Sequence, residues 1–149
     1  MKLKDYLTIY SIFIFTKILL YFVIGINPNI DIYNQYQLLN KQLLSTDLIQ
    51  SLYFFHYQPF LWNLFIGVLT KIFNSNEYQI SIFLLNYHIL LSGILIFLFI
   101  KICEIYNLSK FKTYIIVFLI ILNPSIVFFE NMPLYGHTTL ILFTLISYL

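Results

Sequence analysis

Residues Ile80–Ile100 run for 21 positions without an Asp, Glu, Lys or Arg. As a helix, such a stretch reaches about 30 Å, the thickness of a bilayer's hydrocarbon core. Leu7–Ile26 is a second run of that size, with Lys17 as its charge, and Phe60–Phe73, Tyr114–Phe129 and Thr138–Leu149 are shorter apolar runs. Only 9% of the 149 residues are charged and 60% are hydrophobic, against roughly 25% charged in an ordinary soluble domain. A barrel would need alternating strands of about ten residues, whereas these runs are continuously apolar. Backbone hydrogen bonding in lipid then favours helices. The expectation is an all-α, polytopic membrane helical bundle with short juxtamembrane helices in the first external loop. By the same reading it is a multi-pass integral protein of a bacterial plasma membrane.

The residue choice narrows the chemistry. There is no Ala and no Arg, which fits an AT-biased coding sequence and leaves Lys to take any arginine-like role. The lone Cys103 excludes an intrachain disulfide and a multi-Cys metal site. A net charge of +2 does not point to nucleic acid. No Gly-rich phosphate loop, HExxH, CxxC or nucleophile elbow is present.

Taken in order, Leu7–Ile26 is read as a retained first helix rather than a signal peptide, since it lacks an Ala-x-Ala cleavage site. Asn27-Pro28-Asn29 ends it. Tyr33–Leu44 has apolar positions at roughly helical spacing and a polar opposite face, as in an interfacial helix. Ser45 or Thr46 can cap a second short helix from Asp47 to about Phe54. Pro59 can open the next helix, and Asn74-Ser75-Asn76 breaks it. Asn123-Pro124 makes Tyr114–Phe129 either a kinked helix or a short helix with an extended end. Glu130–His137 is a polar island before a last run of 12 residues, too few to span, so the chain is expected to stop inside an element. Residues 1–149 are read as one N-terminal transmembrane portion with its first external loop at about 27–58.

Lysine placement leaves the topology open. If every run spans, Lys2, Lys4 and Lys71 lie inside against Lys41, Lys101, Lys110 and Lys112. If Phe60–Phe73 only dips in and returns, Lys2, Lys4, Lys101, Lys110 and Lys112 share the inner side, which fits charge better.

Six residues stand out as candidates for chemistry, each beside a plainer reading. Lys17 is either a snorkelling stem or an inward cation facing an anionic partner. Asp31, just beyond the first helix, is a base or metal ligand, or a turn residue. His56 and Gln58 lie at a membrane boundary, as phosphate or carboxylate binders or as part of an aromatic belt with Tyr53 and Tyr57. Glu130 and His137 bracket a short loop, either a plain connection or a partner for Asp31 around a shared cation. His88 is read as a helix-to-helix hydrogen bonder.

The pieces Lys17, Asp31 with Tyr33, HYQPFLW at His56–Trp62 and NPSIVFFENMPLY at Asn123–Tyr135 together resemble the front part of a GT-C-type multispanning membrane glycosyltransferase, protein mannosyltransferase-like or aminoarabinose transferase-like. The resemblance covers most of this chain but only the start of such an enzyme. It implies transfer of a sugar from a polyprenyl-phosphate donor to a lipid, glycan or protein acceptor. Asp31 would be the catalytic base, with Mg or Mn as a cofactor it could hold. Lys17, His56, Gln58, Glu130 and His137 would bind substrate, and membrane lipids would be partners. The piece alone is expected to be inactive. The alternative is a non-catalytic membrane scaffold, a transporter fragment or an inactive glycosyltransferase remnant.

Overall fold

A computed structural model describes residues 1–28, 31–33, 40–54, 59–131 and 136–148, with the side chains of Phe54, Phe129 and His137 outside that description. The described secondary structure is helical throughout: α1 (Leu3–Ile18, continued by a π-helical turn at Leu19–Val23), α2 (Lys41–Ser45), α3 (Leu48–Phe54), α4 (Phe60–Ile72), α5 (Glu77–Ile105), α6 (Lys110–Ile121), α7 (Pro124–Asn131) and α8 (Gly136–Tyr148).

The axis is α5, 29 residues and therefore about 43 Å long. Its start is written locally. The Asn76 side chain accepts from the Gln79 N–H at 3.2 Å, and Glu77 places negative charge in the first turn, where the helix dipole favours it. It ends where Asn107 takes a left-handed conformation (φ 51°) and the Leu108 N–H reaches back to the Cys103 carbonyl.

Around α5 the chain folds back on itself. The α1 helix starts beside the end of α5, and its Tyr10 hydroxyl donates to the Gly93 carbonyl at 2.9 Å, so the two run antiparallel. Its buried positions are Asp5, Ile9, Phe13 and Lys17, a strict every-fourth-residue stripe. The π turn ends at Val23, and Gly25 just beyond it takes a φ of +77° that a side chain would oppose. From the far side, α6 and α7 return along α5, broken at Asn123-Pro124. There the Asn123 side chain accepts from the Ser125 N–H at 2.9 Å, and Pro124 takes the first helical position, where it loses no bond. Ile141 of α8 packs with Leu91, Leu95 and Leu98 of α5 and Ile126 of α7.

A second cluster covers the first half of α5. Ile32, Leu44 of α2, Leu48 and Leu52 of α3, and Trp62, Ile66 and Leu69 of α4 pack with Ile80 and Leu84. The contact between α3 and α4 is close at Gly67, where a Cβ would overlap the Leu48 side chain. Gly67→Ala is therefore expected to lower the thermal midpoint, at a cost of about 1–3 kcal/mol from overpacking. Gly93→Ala, which meets Phe13 and Tyr10 only at 3.7 and 3.8 Å, should leave the midpoint level or raise it, because Ala is the better helix former. Equal effects at the two positions, read by circular dichroism melting, would remove Gly67 from the packing argument.

Several expectations need correction. Among the described residues two helices are long and apolar enough to cross a membrane, Leu3–Val23 and Glu77–Ile105, rather than a polytopic bundle. The other apolar runs became helices of 13 residues or fewer. Pro59, Asn76 and Asn123-Pro124 cut them short; their inner apolar side chains pack against α5 and one another, while outer ones such as Leu61, Phe111 and Phe143 stay exposed. Burial in a protein core and burial in lipid select the same residues, so composition alone counted them as spans. With that count falls the multi-pass assignment to a bacterial plasma membrane. The first helix also stops sooner than expected, at Val23 before Asn27-Pro28. Within the expected helix Tyr33–Leu44, residues 34–39 lie outside the described set; Tyr33 is in a turn, its hydroxyl 2.9 Å from the Thr70 hydroxyl, and helix begins at Lys41.

Candidate functional site

Midway along α5, three helices converge on one carboxylate. Glu130 sits on the last turn of α7 and is 1% exposed, while Lys17 of α1 is 5% exposed. The Lys17 ammonium is 2.6 Å from Glu130 Oε2. The Tyr21 hydroxyl donates to the same oxygen at 2.8 Å, and the Ser92 hydroxyl of α5 donates to Oε1. Asn131 Nδ2 donates to the Tyr21 hydroxyl at 3.2 Å. His88 Nδ1 lies 3.2 Å from the Glu130 backbone carbonyl, so His88 does link two helices. Its ring also stacks on Trp62 of α4, with centroids 6.0 Å apart and planes 11° from parallel.

The sequence places these groups together for local reasons. Lys17 and Tyr21 are one helical turn apart on α1, as are His88 and Ser92 on α5, so each pair shares a face. The Phe13 ring, one turn before Lys17, lies 5.3 Å from its ammonium and shields it. Glu130 reaches the centre because Pro124 restarts the helix after the break and carries it through residue 131.

Chemically the arrangement is a tie. Both oxygens of Glu130 accept charge-assisted hydrogen bonds and the carboxylate is out of reach of solvent. An apolar groove of about 290 Å³ adjoins Lys17 and Tyr21, walled by Phe13, Ile14, Ile82 and Ile89. The cation there is already compensated.

The other candidate residues are not shown to join this centre. Asp31 is exposed on the segment after α1. His56 and Gln58 lie outside the described residues, and His137 is described only as backbone in the first turn of α8. Among the described residues no group of three or more His, Cys, Asp or Glu side chains is placed to hold a metal ion. Sequence reasoning listed Lys17 and Glu130 separately and missed Tyr21 and Ser92. The four-residue spacings from Lys17 to Tyr21 and from His88 to Ser92 were the available signal.

In comparisons with protein families, curated proteins and solved structures, the chain matches none. The glycosyltransferase resemblance is therefore corrected. Its motifs are loose enough to arise without kinship, and the basic residue assigned to the donor phosphate instead ties α1 to α7 through a buried acid. A helical domain organised by an internal polar network fits the non-catalytic alternative better.

Proposed function

We propose that this chain is a non-catalytic helical scaffold that works in contact with membrane lipid. One observation carries the reading: polarity is inverted between the centre and the outside. The pair Lys17–Glu130 is buried, while Phe22 is 84% exposed, Ile49 81%, Leu61 75% and Phe111 74%. Single exposed apolar side chains are ordinary, but on α6 and its C-cap the exposed Phe111, Ile115, Phe118 and Leu122 recur every three or four residues, and such a face meets lipid or another apolar partner. A buried ion pair whose carboxylate accepts from Lys17, Tyr21 and Ser92 suits a scaffold, because it specifies which helix faces meet and in what register. The lipid-contact reading needs no reacting group.

The test is removal of the apolar phase. In nonionic micelles the purified chain should be a single helical species. After the detergent is adsorbed away, it should associate, as seen by light scattering, and its thermal midpoint should become concentration-dependent. A chain that stays monomeric and fully helical in detergent-free buffer would overturn the reading.

A further inference from the structure

We propose that the end of the bundle formed by the start of α1, the end of α5 and the start of α6 docks onto anionic phospholipid headgroups. The inference rests on the lipid-contact reading and adds the lipid class and the face that meets it.

Charge is divided unevenly along the molecule. Lys2, Lys4, Lys101, Lys110 and Lys112, five of the eight lysines, gather at this end with two carboxylates, Asp5 and Glu104. Both acids are engaged. Glu104 holds Lys101 at 2.9 Å and the amine of Met1 at 2.6 Å, and Asp5 holds Lys110 at 2.8 Å. Among the described residues the ion pairs include none formed by Lys2, Lys4 or Lys112, and all three are exposed. Toward the start of α5, Lys41 is paired with Glu77, and Lys71, Asp31 and Asp47 are exposed. One end is therefore strongly positive and the other is not.

Two further features favour an anion here. Lys110 and Lys112 occupy the first turn of α6, where the helix dipole already adds positive potential, and Ser109 makes no side-chain hydrogen bond to cap that terminus. Asp5 answers Lys110 at 2.8 Å, which leaves exposed Lys112 as the first-turn cation outside the ion pairs of the described residues. An open cleft of about 630 Å³ lies at this end of the three helices, with Tyr6, Lys101, Glu104, Asn107, Lys110 and Thr113 on its walls.

The neighbours of these lysines decide the class of anion. Leu3 is 76% exposed and Phe111 74%; Leu3 lies between Lys2 and Lys4 in sequence, and Phe111 between Lys110 and Lys112. Cations alternating with exposed apolar and aromatic side chains match a lipid, whose phosphate and acyl chain lie side by side. A free phosphate or a nucleic acid would make no use of Leu3 and Phe111.

The test uses the full chain in nonionic micelles, titrated in parallel with dioctanoyl phosphatidylglycerol, dioctanoyl phosphatidylcholine and inorganic phosphate, with thermal unfolding as the readout. Phosphatidylglycerol should raise the midpoint, less so as salt increases, and the other two should not. At roughly fivefold per lysine, the variant Lys2→Gln/Lys4→Gln/Lys112→Gln should bind phosphatidylglycerol about 100-fold more weakly. Those exposed side chains carry no ion pair, so its helix content should stay unchanged. Lys41→Gln/Lys71→Gln, at the other end, should bind like the parent. Equal responses to the two lipids, a response to inorganic phosphate matching phosphatidylglycerol, or equal losses in both variants would overturn the proposal. Failure of the lipid-contact reading is separable, because it appears in detergent-free buffer before any lipid is added.

Discussion

Glu130→Gln is expected to destabilise the fold by about 3–5 kcal/mol, the usual cost of removing one partner from a buried ion pair. Gln keeps nearly the same volume, and its single carbonyl oxygen can still accept from one of the two hydroxyls, Tyr21 or Ser92, which donate to different oxygens of the native carboxylate. What it removes is the charge opposite Lys17, whose ammonium lies 2.6 Å from Glu130 Oε2 at a site 5% exposed. Lys17→Met should cost a similar amount, because it strands the carboxylate. Lys17→Met/Glu130→Gln should then recover most of the loss, since neither charge remains to be compensated. Denaturant unfolding in micelles measures the cycle. Single-variant costs that simply add in the double variant would show that the two groups do not compensate each other. If the double variant is as stable as the parent yet has lost lipid association, the pair has a binding role that the scaffold reading denies it.

Trp62→Ala should be comparably severe, at about 3–5 kcal/mol for deleting a large buried aromatic. Trp62 is 6% exposed, stacks on His88 and lies 5.4 Å from the Phe65 ring. It packs in the same cluster as Leu48, Ile66 and Leu84, where α3 and α4 meet α5. The loss should also be local. Amide exchange should speed up in α3 and α4 while the second half of α5, packed by Ile96 and Ile100 against α1 and α6, stays protected. Trp62→Phe should cost less than half as much, because a ring still fills the site. Uniform loss of protection along α5 would show that the two packing clusters are one cooperative unit.

The sequence by itself determined that the chain is helical, and it marked many of the breaks. Pro59, Asn76 and Asn123-Pro124 act through their own backbone geometry and side-chain caps, so a reader of the sequence can find them. It also exposed Lys17 as a cation that needed an explanation, because an isolated charge among apolar residues is costly wherever it sits. Tertiary structure alone decided what answered it. Glu130 is 113 residues away from Lys17, and it looked like a loop residue because the polar island around it reads the same whether the helix ends before or after it. Only packing around α5 brings Ser92, Tyr21 and Glu130 to one point. The number of long apolar helices was decided the same way. An apolar side chain leaves water with similar gain against lipid or against a neighbouring helix, so composition could register the preference but not the partner.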